Sequence, residues 1–141
     1  MNILILSSGT RNKLVSYFIQ EFKNKGKVVC TDCSELAPTL YDADKFYIVP
    51  RIDAPNYLDV ILDICKKEEI KGLFSLIDPE LSLISKNKQL FLHIDVMPFV
   101  SDFEKIEMSF DKYLFYKFCK ENNFPTVQSY INIEEFQKDY S

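Results

Sequence analysis

Two carboxylates close together in the chain are the first candidates for chemistry. Asp78 and Glu80 follow an apolar run that ends at Ile77, and two such groups in a cleft could serve as an acid–base pair. A structural explanation competes with this one. Asp78 could instead cap a helix, with Pro79 in the first helical position and Glu80 in the first turn. Both interpretations stay open from the residues alone.

A polar loop near the N-terminus is the second candidate. The segment Ser7-Ser8-Gly9-Thr10-Arg11-Asn12 follows the first apolar run and precedes a helical pattern. Backbone N–H groups at a helix N-terminus, together with Arg11, could bind an anion. The alternative is a Ser or Thr cap beside a solvated arginine. The loop has one glycine where the dinucleotide fingerprint needs three, which argues against an NAD site even though Asp32 ends the second apolar run.

The cysteines form one short motif, Cys30-Thr31-Asp32-Cys33. A redox pair of this kind places its first Cys at a helix N-terminus, where the thiolate is stabilised, but Cys30 falls within a predicted strand. A zinc site needs about four ligands, and the remaining candidates, Cys65, Cys119 and His93, are scattered along the chain. We therefore predict four reduced, buried and unreactive thiols, and a structural or solvated His93.

A regular alternation of strands and helices positions these polar segments. Short apolar runs predict strands over 2–7, 27–31, 46–49, 72–77 and 96–100, and helical spacing predicts helices over 10–25, from 55 onward, and over 78–92. This alternation predicts an α/β domain with an open parallel sheet and right-handed crossovers. In such a sheet ligands bind outside the carboxyl ends of the strands. The candidate loops are therefore 7–12, 32–34, 50–53 and 78–80.

The composition argues against several classes of protein. A hydrophobic fraction of 47% is enough for a core, and a net charge of −4, with acidic and basic residues mixed, argues against a broad nucleic-acid surface. No apolar run is long enough to span a membrane, and the first residues lack the basic leader of a secretory signal. We expect a cytoplasmic protein with no nucleic-acid or membrane partner.

The pattern over residues 109–141 predicts a separate and incomplete segment. Phe110, Leu114 and Phe118 share one helical face, a helix end is expected at Asn122-Asn123, and residues 127–131 and 133–140 predict a strand and a helix. This segment is too short to form a domain of its own. An unpaired strand and uncovered aromatic side chains recruit partners. We therefore predict a homo-oligomer formed through residues 109–141.

The order and spacing of several segments resemble one known family. The similarity is carried by Met1-Asn2-Ile3-Leu4-Ile5-Leu6-Ser7-Ser8-Gly9, Thr31-Asp32-Cys33-Ser34, Ala37-Pro38, Ala43-Asp44, Ser75-Leu76-Ile77-Asp78-Pro79-Glu80-Leu81, Ser109-Phe110-Asp111-Lys112 and Asn122-Asn123-Phe124-Pro125-Thr126. Over essentially its whole length the chain resembles the N-terminal part of ATP-grasp proteins, in particular those similar to the large subunit of carbamoyl-phosphate synthase.

This resemblance implies a fold and an activity. The fold would be a Rossmann-like pre-ATP-grasp domain over 1–108, followed by the beginning of an ATP-grasp domain over 109–141. The activity would be that of an ATP-dependent ligase, which activates a carboxylate as an acyl phosphate for attack by an amine. Lys112 would contact an ATP phosphate, a role that suits its compact charge. The residues expected to face a small carboxylate or amine substrate are Ser8, Gly9, Arg11, Asp78 and Glu80.

The resemblance also implies what these residues do not supply. The family's second ATP-contacting lysine, its glycine-rich lid and its acidic Mg²⁺ ligands would lie after residue 141, so we expect no catalytic residue and no metal ligand here. ATP and Mg²⁺ would serve a longer parent protein, while this chain alone would bind Mg-ATP weakly and turn nothing over. Two alternatives stay open: a stand-alone, non-catalytic α/β binding or regulatory module, and a Rossmann-type enzyme acting on a nucleotide sugar.

Overall fold

A sheet of five parallel strands forms the centre of residues 1–101. In the computed structural model, which describes residues 1–140, the strands are β1 (Asn2–Leu6), β2 (Val28–Asp32), β3 (Lys45–Ile48), β4 (Ile70–Ser75) and β5 (Met97–Pro98). Their order across the sheet is β3-β2-β1-β4-β5, and each neighbouring pair is parallel. The predicted α/β fold with an open parallel sheet is confirmed.

Five helices connect these strands: α1 (Asn12–Phe22), α2 (Thr39–Asp42), α3 (Tyr57–Lys67), α4 (Asp78–Lys86) and α5 (Lys88–Leu92). The single helix predicted over 78–92 is interrupted at Asn87, whose side-chain Nδ2 donates to the Leu83 carbonyl oxygen at 2.9 Å. Helix α2 was not predicted, because four residues are too few to show a helical period. No helix in the described part of the chain is long and apolar enough to cross a membrane.

The central position of β1 explains its continuous apolar run. Side chains alternate between the two faces of a strand, and both faces of β1 are covered. Leu4 and Leu6 pack in one core cluster with residues of α3 and α4, whereas Ile3 and Ile5 pack in a second cluster with Val15 of α1. A strand buried on both faces needs apolar residues at every position.

Thr31 carries a buried polar atom that has no partner. Among the buried side-chain oxygen and nitrogen atoms of residues 1–140, Thr31 Oγ1 is the one that makes no hydrogen bond. Thr39 gives a contrast, because its buried hydroxyl donates to the Gly9 carbonyl oxygen and contacts Ser8 Oγ, both at 2.7 Å. The two threonines therefore form a matched pair for testing the cost of an unpaired buried hydroxyl.

We expect Thr31→Val to raise the free energy of unfolding by about 1 kcal/mol, because it replaces an unpaired buried hydroxyl with a methyl group. Thr39→Val should instead lower it by about 1–2 kcal/mol, because the hydrogen bonds to Gly9 and Ser8 are lost. Urea unfolding of both variants checks this. Equal losses of stability in the two variants would contradict it.

A second compact unit begins at Asp102. It contains α6 (Phe103–Phe110), α7 (Lys112–Glu121) and α8 (Ile133–Tyr140). The division falls after Ser101, whereas the sequence placed a boundary after residue 108, because α6 was not predicted. The strand predicted over 127–131 is wrong: this segment forms no strand, and the described part of the second unit contains no other strand that could pair with it. Asp111 caps α7, and its Oδ1 accepts from the backbone N–H groups of Tyr113 and Leu114 at 2.9 and 3.0 Å.

Candidate functional site

A cavity of about 190 Å³ opens at the carboxyl edge of the sheet. Its lining comes from the segments that follow β1, β2, β3 and β4 and from the first residue of α3: Ser7, Cys33, Val49, Pro50, Arg51, Ile52, Tyr57 and Ile77. This is the edge where open parallel sheets bind ligands. A larger cavity of about 480 Å³, next to Asn2 and Ile70, lies at the amino ends of β1 and β4, which is the opposite edge.

One buried carboxylate connects the elements around the smaller cavity. Glu80, in the first turn of α4, is 0% exposed. Its Oε1 accepts hydrogen bonds from Tyr57 Oη and from Ser7 Oγ, the latter at 2.9 Å, and its Oε2 accepts from Ser75 Oγ at 2.7 Å. The carboxylate thereby ties the end of β1, the end of β4 and the start of α3 together.

The surroundings of Glu80 raise the pKa of its carboxyl group above the ordinary value. Burial is the largest cause and raises the pKa. The hydrogen bonds that the three hydroxyl groups donate to the carboxylate lower the pKa, and the nearby charge of Asp32 raises it. Burial and the Glu80 charge also raise the pKa of Tyr57, so its hydroxyl stays protonated. Whichever form Glu80 takes, its Oε1 can accept the protons of Ser7 and Tyr57, since a carboxylic acid keeps one oxygen free of hydrogen.

Asp32 holds the polar loop after β1 against the loop after β2. Its Oδ2 accepts from the Gly9 N–H at 2.9 Å and its Oδ1 accepts from the Ser34 N–H at 3.0 Å. Gly9 has a φ of +55°, in the left-handed region that glycine tolerates best. The Ser8 N–H donates to the Thr31 carbonyl oxygen at 3.1 Å. These two N–H groups, which the sequence suggested for binding an anion, are therefore already paired within the protein.

The other predicted substrate residues occupy two kinds of position. Ser8 is fully buried, and its hydroxyl contacts Thr39 Oγ1 at 2.7 Å, which holds the loop after β1 against α2. Ser8 is not among the residues that line the cavity. Arg11 and Asp78 are exposed. Arg11 Nη1 donates to the Ser7 carbonyl oxygen at 3.4 Å, and Asp78 is the first residue of α4. Among the five predicted residues, Glu80 contacts two residues of the cavity lining directly.

Comparison with known proteins identifies the family of the chain. Residues 3–99 match the family described as PylC-like, N-terminal domain. The chain belongs to this family. No curated protein matches the chain by sequence.

Solved structures extend the similarity beyond residue 99. The PylC-like chain is similar to N5-carboxyaminoimidazole ribonucleotide synthetase from Thermotoga maritima (16% identity, TM-score 0.67, 98% of this chain and 36% of that chain). It is also similar to the biotin carboxylase domain of a bacterial single-chain carboxylase (12%, 0.64, 99% and 34%) and to that of Hydrogenobacter thermophilus 2-oxoglutarate carboxylase, solved with MgADP, ADP and bicarbonate (16%, 0.62, 97% and 32%).

These comparisons confirm the predicted resemblance to the N-terminal part of ATP-grasp enzymes. At such low identities the structural likeness establishes the fold. The PylC-like chain spans about a third of the length of these solved structures. The activities of these longer proteins are therefore not assigned to this chain here.

The sequence pattern does not indicate Tyr57 as a residue of the candidate site. The helical pattern that begins near residue 55 accounts for Tyr57 only as a helix residue, yet Tyr57 is 2% exposed and its hydroxyl donates to Glu80. A tyrosine at the start of a helix that follows a strand is a usable signal, because a buried Tyr needs a partner for its hydroxyl. Ser7, Cys33 and Arg51 lie in loops that were singled out, but they were not chosen individually.

The cysteines of the PylC-like chain differ from one another in exposure. Cys30, Cys65 and Cys119 are buried, and burial raises the pKa of the Cys30 thiol to about 11 and that of Cys65 to about 12. Cys33 is exposed and lines the cavity. The prediction that all four thiols are buried is therefore wrong for Cys33, because β2 ends at Asp32 and Cys33 lies in the loop that follows.

We expect one thiol per chain to react rapidly with a disulfide reagent such as DTNB under native conditions. Cys33 should react at least ten times faster than the other three, because thiol reactivity requires both access and the thiolate. Cys33→Ala should abolish the fast phase, whereas Cys65→Ala should leave it unchanged. A fast phase that survives in Cys33→Ala would show that another cysteine becomes exposed.

Lys112 is the first residue of α7 in the second unit. Its side chain is exposed, and its Nζ donates to the Ser109 carbonyl oxygen at 3.4 Å. Within residues 1–140 no group of three His, Cys, Asp or Glu side chains could hold a metal ion. The described residues therefore supply no metal-binding cluster of their own, and no reaction step through Mg-ATP is assigned to them.

Proposed function

We propose that this chain is the N-terminal, substrate-side part of a longer ATP-dependent carboxylate–amine ligase of the ATP-grasp type, similar to the large subunit of carbamoyl-phosphate synthase. The observation that carries the proposal is the fold. Residues 3–99 match a family of N-terminal domains, and the likeness to ATP-grasp enzymes continues over 98–99% of the chain. A cytoplasmic location is part of the same proposal.

In this proposal the cavity at the carboxyl edge receives a small carboxylate or amine substrate. Ser7, Tyr57 and Arg51 line it and are the residues available to a ligand, while Glu80 holds Ser7 and Tyr57 in place. Gly9 and Asp32 fix the neighbouring loops through their hydrogen bond. Orienting a reactant in this way is how binding groups contribute to rate in a ligase.

ATP would be bound mainly by residues outside this chain. The 2-oxoglutarate carboxylase domain that the chain resembles was solved with MgADP, and we propose the same class of nucleotide for the parent protein. Lys112 would contribute one contact to an ATP phosphate, because an exposed lysine at the start of a helix presents a mobile positive charge.

The proposal is tested on the protein produced from its own gene. Its intact mass is measured first, and ADP release is then assayed with pairs of small carboxylates and amines. We expect a product longer than residues 1–141 that releases ADP only when both substrates are present. A product ending at Ser141 would favour a stand-alone binding module. ADP release without an amine would contradict a carboxylate–amine ligase.

We also propose that residues 109–141 mediate self-association. On α8, Ile133, Phe136 and Tyr140 share one helical face and are 64%, 43% and 68% exposed. Ile133→Lys and Phe136→Lys should each weaken association at least about tenfold, since a charge must then be buried. Glu134→Gln changes the charge equally and should have little effect. Sedimentation velocity over a range of concentrations measures this, and a monomeric wild-type chain at every concentration would contradict it.

A further inference from the structure

The hydroxyl groups of Ser7 and Tyr57 have a defined polarity at the cavity. A hydroxyl has one proton to donate and two lone pairs. Ser7 and Tyr57 both donate their proton to Glu80 Oε1, and both line the cavity. A ligand that meets these two oxygens must therefore supply the hydrogen atoms.

The charges around these hydroxyl groups favour a cation. Glu80 lies directly behind them, and Asp32 is close enough for its charge to raise the pKa of Glu80. The charge of Asp32 attracts a cation, a bound cation would in turn favour the ionised form of Glu80, and an ammonium group carries three donors. An ammonium cation therefore matches both the hydrogen-bonding polarity and the charge of this wall.

A different segment supplies positive charge to the same cavity. Arg51 lies on the loop between β3 and α3, and its Nε pairs with Asp53 Oδ1 at 3.4 Å. A guanidinium group has five donors, so this ion pair leaves donors for a ligand's anionic group. Val49, Ile52 and Ile77 supply apolar walls. The volume of about 190 Å³ corresponds to about six water molecules at roughly 30 Å³ each.

We propose that the cavity binds a small zwitterion, with its primary ammonium group on the Ser7 and Tyr57 oxygens and its carboxylate toward Arg51. The inference rests on the proposed function, because it names the substrate class of the same site. It assigns the amine-recognising contact to two hydroxyl groups that are oriented by Glu80.

Three small probes that differ in their charged groups test this on the 141-residue chain by calorimetry. β-Alanine carries both charged groups, propylamine lacks the carboxylate, and propionate lacks the ammonium group. We expect β-alanine to bind best, propylamine next, and propionate at least about tenfold more weakly than β-alanine, since a hydrogen-bonded ammonium is lost. Propionate binding as tightly as β-alanine would overturn the inference.

Variants then distinguish hydroxyl groups that contact the ligand from one that only binds Glu80. Tyr57→Phe and Ser7→Ala should each weaken propylamine binding about tenfold. Ser75→Ala removes a hydroxyl that also binds Glu80, but among the described residues Ser75 is not part of the cavity lining. It should change affinity less than about twofold. An equal loss in Ser75→Ala would overturn the direct contact.

Arg51→Ala tests the proposed contact with the carboxylate of the ligand. It should weaken β-alanine binding and leave propylamine binding unchanged. Melting curves confirm that each variant is folded, and the comparison of the three probes on the wild-type chain needs no variant. If neither amine binds the wild-type chain, the inference is wrong. The ligase proposal would still be judged independently by ADP release from the full gene product.

Discussion

Replacing Glu80 with alanine is expected to lower the free energy of unfolding by about 2–3 kcal/mol at pH 5. The substitution leaves the hydroxyl groups of Ser7, Tyr57 and Ser75 without their acceptor and opens a small void beneath the cavity. Glu80→Gln should lose much less, because the amide oxygen can still accept from Ser7 and Tyr57. Urea unfolding of the two variants gives both values.

We also expect Glu80 to make the stability of the wild-type chain depend on pH. The pKa of Glu80 is raised in the folded state, so the folded chain binds this proton more tightly than the unfolded chain does. The Glu80 contribution to stability is therefore present at low pH and is lost as pH rises above the unfolded value of about 4.5 and through the raised pKa. The loss is at most about 1.4 kcal/mol per pH unit.

Glu80→Gln removes this titration and isolates it from other groups. Glu21 and Glu68 have lowered pKa values and act in the opposite direction, but they are present in both proteins. The stability difference between wild type and Glu80→Gln should therefore move in favour of the glutamine variant as pH rises from 4.5 to 8. A difference that stays constant with pH would contradict the raised pKa.

The parts of the fold that sequence predicts well are those set by local pattern. β1 reads as a buried strand because residues 3–6 are covered on both faces. By contrast, α2 is a single turn, and the Thr39 hydroxyl anchors it to the Gly9 carbonyl oxygen, 30 residues away. The segment 127–131 has the composition of a strand, but the described part of the second unit contains no other strand to pair with it. Hydrogen bonds between distant parts of the chain decide both cases.

In the candidate site, too, contacts between residues far apart in the sequence could not be predicted from local pattern. The edge of the sheet and three of its loops follow from the alternation of strands and helices, so Ser7, Cys33 and Arg51 lie where a ligand was expected. Glu80, which binds the Ser7 hydroxyl, is also a candidate from the sequence, but as an acid–base group, a substrate contact or a residue of the first helical turn. Two of its three partners, Ser7 and Tyr57, are 73 and 23 residues away in the chain. No local pattern encodes contacts of that separation.

Isothermal titration of the 141-residue chain with Mg-ATP is expected to show affinity no tighter than about 1 mM. The described residues contain no carboxylate cluster for Mg²⁺, and Lys112 would be one cation against several phosphate charges. A metal shared between carboxylates and phosphates is what normally holds the nucleotide in such sites. Micromolar affinity of this chain for Mg-ATP would contradict the prediction.

In the longer parent protein, by contrast, Lys112→Ala should raise the KM for ATP at least about tenfold, because a charged contact to phosphate is worth about 1.5–3 kcal/mol. Lys120→Ala is the matched control, since it removes an exposed lysine from the last turn of the same helix. ADP release at varied ATP concentration gives the two KM values. If the two variants behave alike, Lys112 is a solvated helix residue and the nucleotide is held elsewhere. If Lys112→Ala alone is impaired, α7 begins at the phosphate-binding face, and the second unit is the entry to the nucleotide site.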